Sequence, residues 1–270
     1  MKELGVDLAE VHTFFSEGHD TPFVLVKVAP ERTEEWTKML GVPARRCYIS
    51  DAWLKRRVEE TTYPHETIVE AVIPSKGSVM AGDYGEIMTA LYLAAMAHPT
   101  DVLDPKMWRL KSGRTKASQG SDVVQFQLPQ WPGASSDDKV VCAEVKTKST
   151  SGQSTPVASA IEDSRKDRES RLVKTLVWLK ERAIREDLGT VEVCHLDRFI
   201  KATDYPPAVY EFRAVAVISS ELVDDELLDI TVPEKDHCTL VVISVPDLKA
   251  NYESLYEVLL ANAAVGVDAP

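Results

Sequence analysis

Between Val140 and Lys148 the chain reads VVCAEVKTK, an apolar run broken by a carboxylate at Glu144 and an amine at Lys146. Small and β-branched residues on either side of Glu144 are those of a strand covered on both faces. Side chains alternate along a strand, so Glu144 and Lys146 project side by side from one face. Burying an unpaired charge costs on the order of several kcal/mol. The two groups must therefore pair, bind something, or lie at the wet end of the strand.

The surrounding pattern predicts a mixed α/β chain. PFVLVKV (Pro22–Val28) reads as an early strand, and ERTEEWTKML (Glu31–Leu40) and SDAWLKRRVEE (Ser50–Glu60) as helices, with Ser50 or Asp51 as N-cap. A loop is expected over Gly77–Gly82, then a helix over Tyr84–Ala97, a short strand over Met107–Lys111 and a second over Asp122–Leu128. Val140–Thr147 is the third strand, reached through the turn-rich PQWPGASSDD. A long helix from about Val157 to Asp187 follows, striped by Leu172, Val173, Leu176, Val177 and Leu179. RAVAVIS (Arg213–Ser219) and TLVVISV (Thr239–Val245) are further strands, and Leu248–Ala264 a closing helix.

With 270 residues, 44% hydrophobic and 27% charged, the composition is globular and fits one large domain or two small ones. Glu3, Asp7 and Glu10 stand where a signal peptide would be basic, and no apolar run approaches the roughly 18 residues of a membrane span. Cys47, Cys142, Cys194 and Cys238 are scattered without a CxxC pair, which points to a reduced, cytoplasmic protein. The net charge of −12 is the wrong sign for a free-standing nucleic-acid binder. Its distribution is uneven. KMWRLKSGRTK (Lys106–Lys116) holds five cations and no acid, whereas Glu221, Asp224, Asp225, Glu226, Asp229, Glu234 and Asp236 crowd the C-terminal portion. Lys111, Arg114 and Lys116, with Lys148 at the end of the strand, are the candidates for nucleic-acid contact; a solvated basic face is the plainer alternative.

Partners for the two strand charges exist upstream. Asp122 opens a strand after Gly120, and Glu86 is the lone charge within an otherwise apolar helix once Asp83 is passed. Asp83 and Glu86 also have capping-box spacing, which would give them a purely structural role. Taken together, the acids have a chemical meaning. A hard cation such as Mg²⁺ takes oxygen ligands and is commonly held by one or two carboxylates plus substrate phosphate. Asp122 and Glu144 on neighbouring antiparallel strands could share such an ion, with the Val145 carbonyl as a further ligand and Glu86 completing the shell. Lys146 would then help orient or deprotonate the attacking water and stabilise charge on a scissile phosphate.

Asp122, followed after a hairpin-like interval by Glu144-Val145-Lys146, resembles the signature of the PD-(D/E)xK nuclease superfamily, and Glu86 matches the extra acid on its preceding helix. The resemblance spans roughly Gly82–Ser219 and implies an α/β fold with a restriction-endonuclease-like αβββαβ core, a central mixed sheet flanked by helices, and N- and C-terminal additions. It departs from the pattern at Ser121, which stands where the signature has proline. The bare triplet is cheap: DxK recurs at Asp104–Lys106 and Asp247–Lys249. GDYGE, a basic stretch, QGSDVV and VCAEVK before a long charged helix are similar to the nuclease subunit of the Hachiman antiphage-defence system. That resemblance implies DNA cleavage with Mg²⁺ (Mn²⁺ as substitute), and a helicase partner subunit that restrains it. On this reading residues 1–79 form an α/β extension packed on the core and residues 80–270 the nuclease domain with its C-terminal strand and helix.

Other chemistries find little support. The histidines (His12, His19, His65, His98, His195, His237) show no HxH or HExxH spacing, and Cys194–His195 with His237–Cys238 is not a usual zinc pattern. GxxxxGK[ST], GxGxxG and GxSxG are absent from the sequence. Charges along the long helix, among them Asp163, Asp167 and Arg171, read as salt-bridged surface or as a DNA- or partner-facing ridge. Two functions remain: a metal-dependent nuclease, or a non-catalytic interaction subunit on a nuclease-like scaffold. The first wants Asp122 and Glu144 within about 4–5 Å to share an ion. The second wants Lys146 paired to one of them in a closed, dry pocket.

Overall fold

The computed structural model describes residues 1–18, 22–116, 120–186, 188–228, 230–234 and 237–267. His19, Gln119 of QGSDVV, Asp187 at the end of the expected long helix, and Asp229 and Asp236 of the acidic cluster lie outside the described residues. In chain order, α1 (Leu8–His12) leads into β1 (Phe15–Gly18) and β2 (Val24–Val28), then α2 (Thr33–Tyr48), α3 (Asp51–Thr61), α4 (His65–Val72) and α5 (Ser78–Ala97). β3 (Val123–Gln127) and β4 (Lys139–Lys148) precede α6 (Pro156–Lys166), a π turn (Asp167–Arg171), α7 (Leu172–Arg185) and α8 (Val193–Ile200). The chain closes with β5 (Val209–Ser219), α9 (Val223–Leu227), β6 (Thr239–Val245) and α10 (Leu248–Ala261).

All these strands join one six-stranded sheet in the order β1-β2-β6-β5-β4-β3. It is mixed: β2, β6, β5 and β4 run parallel, and the edge strands β1 and β3 pair antiparallel. Burial on both sides explains the near-continuous apolar runs of β4, β5 and β6. Odd-numbered residues of the central strands, Ala143, Val145, Val215, Val217, Val241 and Ile243, share a core with Trp36 and Leu40 of α2, Tyr84 and Leu91 of α5, and Tyr252 of α10. Even-numbered residues face the other way. Ala214, Ala216 and Val242 meet Val157 and Ala160 of α6, while Val140 and Cys142 meet Leu172 and Leu176 of α7. Glu144 and Lys146 share the parity of Cys142 and so belong to the face under α6 and α7.

The α/β class, the mixed central sheet and the flanking helices are as expected, and Ser50 caps α3 by accepting from the Trp53 amide at 3.2 Å. Several local expectations fail for identifiable reasons. Residues 107–111 are not a strand: Met107–Leu110 is a 3-10 turn, entered through Lys106 at φ 50°. Asp104 accepts from the Lys106 amide at 2.9 Å and Pro105 has no N–H to give, so the chain curls there. A single bridge, Leu103 to Phe126, is the pairing made on the outer edge of β3 among the described residues. Helix α5 begins at Ser78, within the expected loop, which puts Asp83 and Glu86 in the helix body and ends the capping-box reading. Helix α2 runs on through Pro43 to Tyr48 instead of stopping at Leu40, because it packs along α10. At Gly41 a Cβ would lie 2.8 Å from Val258 Cγ1, so the glycine permits that approach. The long helix is broken by its π turn.

Residues 1–79 contribute β1 and β2 to the same sheet as the rest, Val24 standing beside Val241 of β6. Among the described residues no helix is long and apolar enough to cross a membrane.

Candidate active site

β3 and β4 bring the acids of the sequence motif together. Their antiparallel register sets Val123 beside Ala143, so Asp122, one residue before β3, falls opposite Glu144. Asp122 Oδ2 accepts the Val145 amide at 2.8 Å, which fixes the carboxylate against the Glu-Val-Lys strand. Glu144 is 3% exposed on its side chain and has both oxygens engaged: Oε1 by Lys146 Nζ and Oε2 by Arg171 Nη2, each at 2.6 Å. Lys146 Nζ reaches on to Asp163 Oδ2 at 2.8 Å. The side chains of Lys146 and Arg171 are 30% and 25% exposed, so the cluster opens to solvent on the α6–α7 side instead of being a sealed ion pair.

Glu86 comes from α5, on the opposite face of the sheet from Glu144. Its Oε2 accepts the Trp108 indole N–H at 2.8 Å. One turn earlier in α5, Asp83 accepts from the Tyr48 hydroxyl at 2.9 Å and pairs with Lys111. Helix α5 can approach β4 this closely because Gly85 has no side chain: a Cβ there would sit 2.2 Å from Thr147 Oγ1 and 3.5 Å from Val145 Cγ1.

Electrostatics link Asp122 to each of the other two acids. Burial pushes Asp122 up to about 6, partly offset by the Val145 amide. Burial and then the neighbouring Asp122 charge push Glu144 up to about 8, against Lys146 and Arg171. Burial, followed by Asp122 and Asp83, raises Glu86 well above the ordinary carboxylate range. Burial works against the Lys146 charge, yet its hydrogen bonds to Asp163 and Glu144 outweigh it and hold the amine protonated. Asp163 also feels burial, but Lys146 and Lys166 bring it down to about 2.

Four residues of the site escaped sequence reasoning as functional groups. Asp163, Asp167, Arg171 and Thr175 recur every fourth position across α6, the π turn and α7, and so share one inward face. Arg171 Nε donates to Asp167 Oδ1 at 2.6 Å, and the Ser121 hydroxyl donates to the same oxygen at 2.7 Å. That i, i+4, i+8 stripe of charge is legible in the sequence, where it reads as salt-bridged surface or as a DNA- or partner-facing ridge. Trp108, within the stretch expected to be a strand, is the partner of Glu86.

The cations expected at nucleic acid have varied positions. Lys111 is held by buried Asp83. Arg114 Nε donates to the Ile73 carbonyl at 2.8 Å. Lys148 is buried, donating to the carbonyls of Gly152 at 2.8 Å and Ser154 at 2.7 Å and pairing with Glu226. Lys116 is exposed.

A hard cation suits this donor set by chemistry: Asp122, Glu144, the Val145 carbonyl and Glu86 offer only oxygen, and each acid opposes ionisation of its neighbour until a positive charge joins them. In the present arrangement the positive charge comes from Lys146 and Arg171. Among the described residues no three His, Cys, Asp or Glu side chains are already drawn into a metal-holding cluster, and this includes Cys194, His195, His237 and Cys238.

The structure is thus an α/β protein whose mixed sheet carries an acid-and-lysine site where an edge hairpin meets the parallel strands. The chain belongs to the HamA family, whose model matches residues 7–259, nearly its whole length. HamA is the Hachiman defence subunit, and membership gives the chain an antiphage-defence role. No curated protein matches the chain.

Proposed function

We propose that the chain is a metal-dependent deoxyribonuclease of antiphage defence, acting with a helicase partner that restrains it until foreign or damaged DNA is engaged. The observation that carries this reading is the meeting of Asp122 and Glu144 across β3 and β4, with the charged Lys146 on the open side. Asp122, Glu144, the Val145 carbonyl and Glu86 would hold Mg²⁺ or Mn²⁺, which when bound polarises the phosphodiester and acidifies a water. Asp122 is positioned by the Val145 amide, so the strand that bears Glu144 also orients the second acid. Lys146, kept protonated by Asp163 and Glu144, supplies positive charge where the phosphorane gains negative charge; a raised pKa argues against its acting as the base. Exposed Lys116 lies in the basic segment that the DNA backbone would meet, and an acidic subunit can rely on its partner for most of its DNA affinity.

The test is cleavage of plasmid and linear DNA by purified protein with Mg²⁺, Mn²⁺ or EDTA, alone and with the co-expressed partner. Metal-dependent cleavage that Glu144→Ala and Lys146→Ala each abolish, with folding intact, supports the nuclease. A second reading, a non-catalytic interaction subunit, is favoured by one observation: Lys146 and Arg171 already neutralise Glu144. Absence of cleavage under every condition would establish that reading in place of the first.

A further inference from the structure

Arg171 engages the oxygen of Glu144 that Lys146 leaves free. Its Nη2 bonds Glu144 Oε2 at 2.6 Å and the Asp163 carbonyl at 2.7 Å, while its Nε bonds Asp167 Oδ1 at 2.6 Å. Asp167 is 2% exposed, and its Oδ2 is buried without a hydrogen-bond partner among the described residues, so the anchor is a committed carboxylate with unsatisfied capacity. Arg171 closes the π turn between α6 and α7, a local widening of the helix that directs its side chain inward and recurs at functional sites. Its other side lines a surface groove with Gly120, Lys166, Lys174 and Trp178. One guanidinium therefore touches both the buried acid and a groove bearing two further lysines in a chain of net charge −12.

We propose that Arg171 is an anion-released latch: it caps Glu144 Oε2 until a phosphate of the nucleic-acid backbone enters the groove beside Lys166 and Lys174 and takes the guanidinium. Release frees Glu144 Oε2 for the divalent cation, so metal loading follows substrate entry. Asp167 keeps Arg171 in place throughout, and the guanidinium exchanges one oxyanion for another without a change in its own charge. Arg171 acts through Glu144 in the latched state and is a positioning residue there. The inference rests on the metal-dependent reading of the site.

The experiment is a Mn²⁺ titration of the full chain without nucleic acid, by calorimetry and electron paramagnetic resonance. Wild type is compared with Arg171→Gln and Arg171→Lys, with circular dichroism confirming the fold. The latch predicts Mn²⁺ binding at least about tenfold tighter in both variants, because lysine keeps the charge but cannot bridge Asp167 and Glu144. In cleavage assays both variants should need less metal for half-maximal rate yet show a lower kcat. Tighter binding in Arg171→Gln alone would mean simple charge removal and would overturn the latch. Equal binding in all three proteins would overturn it while leaving the nuclease reading intact. Failure of every protein to bind Mn²⁺, with or without a DNA oligonucleotide, would overturn both.

Discussion

The indole N–H of Trp108 donates to Oε2 of Glu86 at 2.8 Å, joining the 3-10 turn after Lys106 to the middle of α5. Both side chains are buried, so each depends on the other for satisfaction. Trp108→Phe keeps most of the ring volume and removes the donor. It should destabilise the fold by about 1–3 kcal/mol in urea unfolding at neutral pH, the usual cost of leaving one buried polar partner unmatched. A change below about 0.5 kcal/mol would show that Glu86 finds another donor.

Stability should decline as pH rises through the neutral range in the presence of EDTA. Burial raises Asp122 to about 6 and Glu144 to about 8, from ordinary values of 3.8 and 4.5. A raised folded pKa contributes stability that is complete below the unfolded value and lost as pH climbs through the folded value. The loss should therefore run from about pH 4 to about pH 8. Asp163, brought down to about 2 mainly by Lys146 and Lys166 against burial, acts only below this window. Asp122→Asn retains an acceptor for the Val145 amide and should flatten the lower part of the decline. A melting temperature that climbs with pH across this window would contradict the electrostatic account.

Gly85→Ala should destabilise the protein despite alanine's better helix propensity. Propensity offers about 1 kcal/mol at most, whereas the new methyl would meet Thr147 Oγ1 at 2.2 Å. Overpacking of this kind costs about 1–3 kcal/mol. Thr147→Ala in the same chain should recover at least half of that loss in chemical denaturation. No recovery would place the conflict with Val145 or the strand backbone instead.

Another buried ion pair sets the geometry at the start of β4. Arg198 and Asp138 are both wholly buried, and Arg198 also donates to the carbonyls of Ser135 and Pro206 at 2.8 Å. Arg198→Met leaves Asp138 charged and uncompensated, which should cost about 3–5 kcal/mol. The double change with Asp138→Asn should cost clearly less than Arg198→Met alone. Equal losses would mean that Arg198 acts through its two carbonyl contacts and not through the carboxylate.

The strand readings were accurate where burial on both faces left a continuous apolar signature. Thr239–Val245 was legible to the residue as β6, and β4 nearly so. The link from Asp122 to Glu144 was legible for the same reason, since hairpin register follows from two adjacent strands and a turn-rich loop. What remained hidden depended on contacts distant in sequence. Helix α2 crosses Gly41 and Pro43 because α10 lies against it, and nothing local announces a helix some two hundred residues away. The Met107–Lys111 stretch alternates enough to pass for a strand, but its fate was decided by Pro105 and the Asp104 turn. The role of Arg171 was concealed differently: its spacing from Asp163 and Asp167 was visible, but an inward charged stripe looks like an outward one until a buried carboxylate is placed beneath it.

Strand β2 ends at Val28, yet its parallel neighbour is β6, which begins at Thr239. Until the ribosome has delivered that segment, β2 has only the short β1 beside it, and β5 presents a bare edge where β6 will lie. The sheet on which Asp122 and Glu144 are mounted therefore closes only once β6 is in place between β2 and β5. A chain ending before Thr239 would carry Glu86, Asp122 and Glu144 and still lack the strand that ties β2 to β5.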